Sequence, residues 1–410
     1  TTLAVLALAA PLAAMRPVPR LPNDGPAQTA ASTGADVNPD PNPDPDPNPG
    51  VSAGPDGGVA FDLDIAAGRG KGQGEGDGSG EGRAGQVEGV GSAESPAHTA
   101  AVASLIIATT DQDGAVKLAA IQALGSLEDP RAVEALSDAL RRDPDPEVRE
   151  MAAWALGEIE SATAVPALSE ALRGDREVAV RVKAAWALGE IESARGVEAL
   201  GAALRDENIE VRRMAIWALG EIESPQAVPL LVPLLDDQDR EVREKAAWAL
   251  GEIESPQAVE GLSKRLRDAD VRVRETAVWA LGEIESTSAG PALAGALKDE
   301  SVAVRRKAAW AIGEIDGLES APPELLAALG DADREVRLQA ARALGEIQDP
   351  AAVPALAAAA RGQDEQLRRT AAWALSEMRD QAAIDVLIEL LRSDDPEIRK
   401  AAAQALGKSN

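Results

Sequence analysis

At 410 residues the chain has room for more than one domain, but 45% hydrophobic content with only 2% aromatics marks an Ala/Leu/Val-rich helical protein and argues against a β-rich fold. A formal net charge of −28 argues against nucleic-acid binding, whose affinity comes from Lys and Arg displacing counterions, and favours basic or neutral partners. The absence of cysteine excludes disulfides and thiolate chemistry, and His98 is the only imidazole.

Residues 1–16 begin TTLAVLALAAPLAAM, with Arg16 and Arg20 after the apolar run. Such a run is too short to span a bilayer, so it reads as the end of a membrane helix or part of a signal segment, and the missing initiator Met reads as a fragment or a processed product. That points to a membrane tether or an exported origin. Residues 17–95 are dominated by Pro, Asp, Asn and Gly, with proline alternating from Pro39 to Pro49 and a glycine-rich run from Gly68 to Gly82. Neither composition buries enough apolar surface to offset chain entropy, which predicts a disordered linker, stiff where proline alternates and flexible where glycine does. The Asp-rich run lacks the ligand spacing and glycine turn of an EF-hand, so no metal is expected there.

From residue 96 to 410 a repeat governs the sequence. The string AAWALGEIES stands at 152–161, 184–193 and 246–255, and its tryptophan phase recurs at Gln122, Trp154, Trp186, Trp217, Trp248, Trp279, Trp310, Arg342, Trp373 and Gln404, at intervals of 31 or 32 residues. Self-similarity at such a period is the signature of a solenoid, in which each unit buries its apolar face only against its neighbours. Within one unit, Ser255 suits a cap and Pro256 a first helical position, and Val259, Leu262 and Leu266 follow at helical spacing. After a loop at Asp268 and Asp270, Val273, Ala277, Leu281 and Ile284 give the second helix its core stripe. The prediction is all-α: about ten two-helix units.

On the phrase V-R-x-x-A-A-x-A-L-G-E-I the sequence resembles HEAT repeats, specifically the short kind named for phycobilisome lyases. The resemblance implies a right-handed α–α superhelix of the HEAT/armadillo type. It also implies a ladder between units, built from an Asp before each second helix and an Arg six residues later. The Arg stands at Arg149, Arg181, Arg212, Arg243, Arg274, Arg305, Arg337, Arg368 and Arg399, with Lys117 in the first unit. The Asp stands at Asp111, Asp143, Asp175, Asp206, Asp237, Asp268, Asp299 and Asp331, but Gly362 and Ser393 replace it in the last two units, where ladder support is expected to weaken.

With Val242 at zero and about 100° per residue, Ala246, Leu250 and Ile253 fall within about 80° of it while Trp248 falls near 240°, off the core stripe. Ala247 and Gly251 lie between, where small side chains let a neighbouring helix approach. The second helix of a HEAT-like unit is expected to line the concave surface. Trp154, Trp186, Trp217, Trp248, Trp279, Trp310 and Trp373 are therefore candidate protein-binding residues, together with Glu158, Glu190, Glu221, Glu252, Glu283, Glu314, Glu346 and Glu377 one turn on. Alanine at Trp217, Trp248 and Trp279 is expected to leave helicity and melting nearly unchanged while abolishing partner capture. The glutamates sit in the last helical turn, where the helix dipole disfavours an anion, so a neighbouring amino terminus, a Lys or Arg, or a partner's cation must compensate.

Residues four and three before each Trp vary between units (Glu150 and Met151, Val182 and Lys183, Arg213 and Met214, Glu244 and Lys245, Arg306 and Lys307), as on a recognition surface. A Trp with a polar residue one turn later resembles the groove of armadillo-type nuclear import receptors, although Glu stands here where that family uses Asn. The partner expected is a protein or an extended peptide. Six rows of Trp at helix spacings of about 9 to 10 Å would accommodate about 15 extended residues.

Deoxyhypusine hydroxylase, an enzyme of HEAT-like repeats, binds iron through repeated His-Glu pairs, and the single His98 excludes that activity. No HExxH, nucleophile elbow or P-loop occurs in the chain, so neither catalysis nor a cofactor is expected within it. Two alternatives remain. One is a chromophore lyase subunit, from the repeat class. The other is the C-terminal sensor region of a protein resembling bacterial membrane zinc metallopeptidases of the antirepressor, beta-lactam-sensor type, with the catalytic part upstream.

Overall fold

The computed structural model describes residues 95–378 and 380–408. The apolar stretch 1–16 and, but for Ser95, the linker predicted over 17–95 lie outside the described residues. Among them the protein is all α, with twenty α-helices, eight short 3-10 segments and no strand. No helix among the described residues is long and apolar enough to cross a membrane.

The helices form ten antiparallel pairs. The first helix of a pair, the outer helix, is short, as in Val197–Ala203, Val259–Arg265 and Gly290–Ala296. The second, the inner helix, runs 12 to 14 residues, about twice as long as these three, as in Pro146–Glu158, Val178–Glu190, Ile209–Glu221, Arg240–Glu252 and Val271–Glu283, while the first outer helix, Pro96–Ala108, nearly matches its partner. Consecutive inner helices pack closely along the whole stack, whereas outer helices touch one another more sparsely, so the inner row forms the tighter side of the stack. The predicted stripe is the core: Val242, Ala246, Leu250 and Ile253 are all buried.

Local chemistry sets the ends of each element. Most inner helices start at an Asp or Asn whose side chain accepts from the N–H two residues on, as at Asp145, Asn208, Asp239 and Asp270. The outer helices start differently from the sequence expectation. Ser255 makes no side-chain cap hydrogen bond, and Pro256 opens a 3-10 turn, Pro256–Ala258, ahead of Val259–Arg265. In the unit before it, Pro233 removes an N–H that an α-helix needs, and Val228–Leu231 gives way to a 3-10 segment, Val232–Asp236. Each inner helix from Pro146–Glu158 to Val271–Glu283 leaves through a left-handed residue, Glu160, Glu192, Glu223, Glu254 or Glu285, with φ near 50°. No glycine relieves these turns, which places a second row of exposed carboxylates beside the helix-end glutamates.

The ladder is present. Arg149 donates through Nε and Nη2 to the Asp175 carboxylate of the next unit at 2.7 and 2.9 Å, while its Nη1 donates to the Asp143 carbonyl of its own unit at 3.1 Å. Arg181, Arg243, Arg274 and Arg305 repeat this with Asp206, Asp268, Asp299 and Asp331. Arg212 departs from the prediction: it donates to the Asp206 and Glu207 carbonyls at 2.8 and 3.1 Å, and the expected rung to Asp237 is not formed. Where Gly362 and Ser393 replace the aspartate, the ladder does not lapse. Arg337 donates to Asp364 at 3.0 Å and Arg368 to Asp395 at 2.9 Å, acids placed two residues further on. Each of these is held by one guanidinium nitrogen instead of two.

Candidate binding surface

The tryptophans lie on the inner row but are not simply exposed. Each ring seats on the glycine of the preceding inner helix: Trp154 on Gly125, Trp186 on Gly157, Trp217 on Gly189, Trp248 on Gly220, Trp279 on Gly251, Trp310 on Gly282. A methyl group on Gly251 would stand 2.6 Å from Cζ3 of Trp279, which is no distance for two carbons, so only glycine fits beneath the ring. Trp279 belongs to the core at 9% exposure; Trp154, Trp186, Trp217, Trp248 and Trp310 are half-buried against it. Trp373 is the most exposed of the seven, at 37%. The expectation that alanine here leaves stability unchanged is therefore corrected. The helical wheel places the rings off their own unit's stripe, but the adjoining unit supplies the surface that covers them.

The glutamates hold the rim of this row. Glu158, Glu190, Glu221, Glu252, Glu283 and Glu377 are half-buried, Glu314 and Glu346 exposed. The four-residue spacing from Trp to Glu places ring and carboxylate on one helix face, where the indoles of Trp279 and Trp310 pull the pKa of Glu283 and Glu314 down.

Burial first, then the carboxylates of Glu252 and Glu190 on the adjoining inner helices and of Glu192 and Glu223 in the exit turns, push Glu221 up to about 7. Glu283 and Glu314 are also raised, by burial and then by neighbouring acids, against the pull of their tryptophans. A carboxyl whose folded pKa exceeds its unfolded value keeps a proton in the native state that the unfolded chain has lost, so its ionisation opposes folding. For Glu221 that cost is absent below about 4.5 and complete above about 7. The ladder carboxyls run the other way. Burial would raise Asp175, Asp206 and Asp268, but hydrogen bonds from Arg149, Arg181 and Arg243 and from their own turns hold them below the usual 3.8, so their contribution is lost only on stronger acidification. The melting temperature is expected to rise by about a few degrees from pH 8 to pH 5 and to fall below pH 4. Calorimetry across that series checks it, and Glu221→Gln should flatten the upper limb.

The varying positions before each Trp are partly answered within the chain. Arg272 Nε lies 3.2 Å from Glu244 of the preceding unit, Lys307 Nζ 3.3 Å from Glu275, and Arg213 2.8 Å from Glu241 of the following one. Lys183 is buried with its Nζ 4.9 Å from the Trp186 ring centre; burial lowers its pKa, while Glu150 and Glu158 oppose that shift. His98, the lone imidazole, sits 3.2 Å from Asp129. No group of His, Asp and Glu among the described residues could hold a metal ion.

A stack of paired helices whose inner row carries rings, carboxylates and an Arg–Asp ladder defines a repeat solenoid. The model for HEAT repeats matches residues 75–149, 133–208, 197–272, 259–331 and 322–407. The chain belongs to the HEAT-repeat family. Among solved structures it is similar to an engineered protein (26% identity over 75% of this chain and 98% of that one, TM-score 0.47) and to Kap95p in its complex with RanGDP (19% identity, 74% and 50%, TM-score 0.47). Human deoxyhypusine hydroxylase is more distant in shape, at 25% identity over 62% and 98% with a TM-score of 0.29. No curated protein matches the chain.

Proposed function

We propose that the protein is a non-catalytic scaffold that binds a basic, extended polypeptide segment along its inner row. The observation carrying this reading is the line of helix-end glutamates, raised by burial and then by their mutual repulsion, beside half-buried indole faces. A cationic segment laid along that line relieves the repulsion, and a lysine over a ring gains a cation–π contact. The chain already uses that chemistry once, with Lys183 over Trp186. Main-chain groups of an extended segment and alternate side chains would then meet units at regular spacing.

The glutamates, not the tryptophans, are the residues to test, because the rings also hold the stack together. The triple variant Glu221→Gln, Glu252→Gln, Glu283→Gln removes charge without removing volume. A labelled octapeptide alternating lysine and glycine should bind it at least tenfold more weakly than wild type, while the melting temperature stays equal or rises. Unchanged affinity, read by fluorescence anisotropy at low salt, would refute the reading.

A further inference from the structure

One unit breaks the rule that a ring covers each inner-helix glycine. Arg342 stands in the tryptophan phase of Arg334–Ile347, and a methyl group added to Gly313 would meet only Ala343, with no indole above it. The Arg342 side chain lies exposed, where Nη1 donates to the neutral amide oxygen of Gln339 at 3.1 Å. Arg342, Arg369, Thr370 and Trp373 line one open cleft of about 240 Å³. Arg369 is also bonded to Glu365 one turn before it, an exposed pair of the kind that contributes little and exchanges readily.

We propose that this cleft binds the carboxylate of an acidic side chain on a partner polypeptide. Two guanidinium groups beside one opening offer planar, permanently charged donors that match a carboxylate, and the exposed face of Trp373 covers its aliphatic stem. In a chain of net charge −28 a run of phosphates would meet the surrounding acids, whereas a single carboxylate has only to displace Glu365 from Arg369 to meet both guanidinium groups. The site gives the inner row a direction: acidic along Glu221 to Glu314, cationic at Arg342 and Arg369. A bound segment with basic residues followed by an acidic one fits one way round. The cleft stands independently of the glutamate line and retains its chemistry even if that line binds nothing.

The test uses the full isotope-labelled chain and two blocked peptides, tetra-aspartate and tetra-asparagine, with the indole N–H signal of Trp373 assigned through Trp373→Phe. Tetra-aspartate is expected to shift that signal saturably and tetra-asparagine to leave it unmoved. Arg369→Gln should weaken binding about fivefold, the loss of one charge-assisted hydrogen bond. Arg342→Trp, which restores the repeat's own residue above Gly313, should fold and abolish the shift; Arg342→Gln gives the same reading should that variant fail to fold. A saturable shift that survives both Arg342 variants, or an equal response to tetra-asparagine, overturns the proposal.

Discussion

Replacing Trp279 with alanine is expected to destabilise the protein by about 3–5 kcal/mol, the cost of emptying a large buried site that cannot collapse. Collapse is blocked because the floor beneath the ring is a helix backbone at Gly251, and the walls are Ala280 and the rest of the core. The loss falls on the interface between two units and not within one, so it also weakens the coupling that makes the array unfold as a whole. Urea unfolding followed by circular dichroism should show a lower midpoint and a shallower or split transition. Trp373→Ala is the internal control: with its ring 37% exposed, it should cost far less. An unchanged midpoint for Trp279→Ala would mean that the ring only decorates the surface.

The second large effect is expected at the ladder. Arg274 donates to Asp299 at 2.8 and 3.1 Å, to Glu300 at 3.2 Å and to the Asp268 carbonyl at 2.9 Å, and both it and Asp299 are about nine-tenths covered. Arg274→Met leaves a largely covered carboxylate without its hydrogen-bonded cation and an unpaired carbonyl, and should cost about 2–4 kcal/mol, somewhat under the value for a fully buried pair. Adding Asp299→Asn, which retains the acceptor for the Ser301 N–H, should recover much of it. Arg142→Met, which removes an exposed pair with Asp138, should change stability by under about 0.5 kcal/mol. A double variant no better than Arg274→Met alone would place the ladder's contribution in the carbonyl contacts, not in the charge pair.

The architecture was legible because the repeat multiplies weak signals. One stripe of the Val-x-x-x-Ala-x-x-x-Leu kind is ambiguous, but ten such apolar stripes in phase define paired helices, and most of the Arg and Asp positions found their partners across units, Arg212 and Asp237 excepted. The wheel also marked Ala247 and Gly251 as a face for close approach, and that is where Trp279 lies. What it missed is the other half of the contact. A wheel describes one helix, so a side chain off its own stripe reads as exposed even when the next unit's small residues are shaped to receive it. Distances along the chain hid three more features. Asp364 and Asp395 take the ladder two positions late, Ser255 sits before a 3-10 turn that needs no side-chain cap, and the Trp–Glu spacing sets ring and carboxylate on one helix face, where the ring draws the carboxyl's pKa down. The charges before each tryptophan vary like a recognition surface, yet several answer each other across neighbouring units, as Glu275 and Lys307 do.

The glycine seat runs in one direction: from the unit of Trp154 to that of Trp310, each unit fills the vacancy of its predecessor. Excision or duplication of a whole period rejoins a seat to a ring without any compensating substitution, whereas a change of a few residues inside a period does not. The array can thus lengthen or shorten by genetic duplication while its spine stays continuous. Arg342, which offers no ring to Gly313, marks a junction inside the array where a copied neighbour would not be an equivalent replacement, as does the last junction, where Ser376 and Gln404 replace glycine and ring.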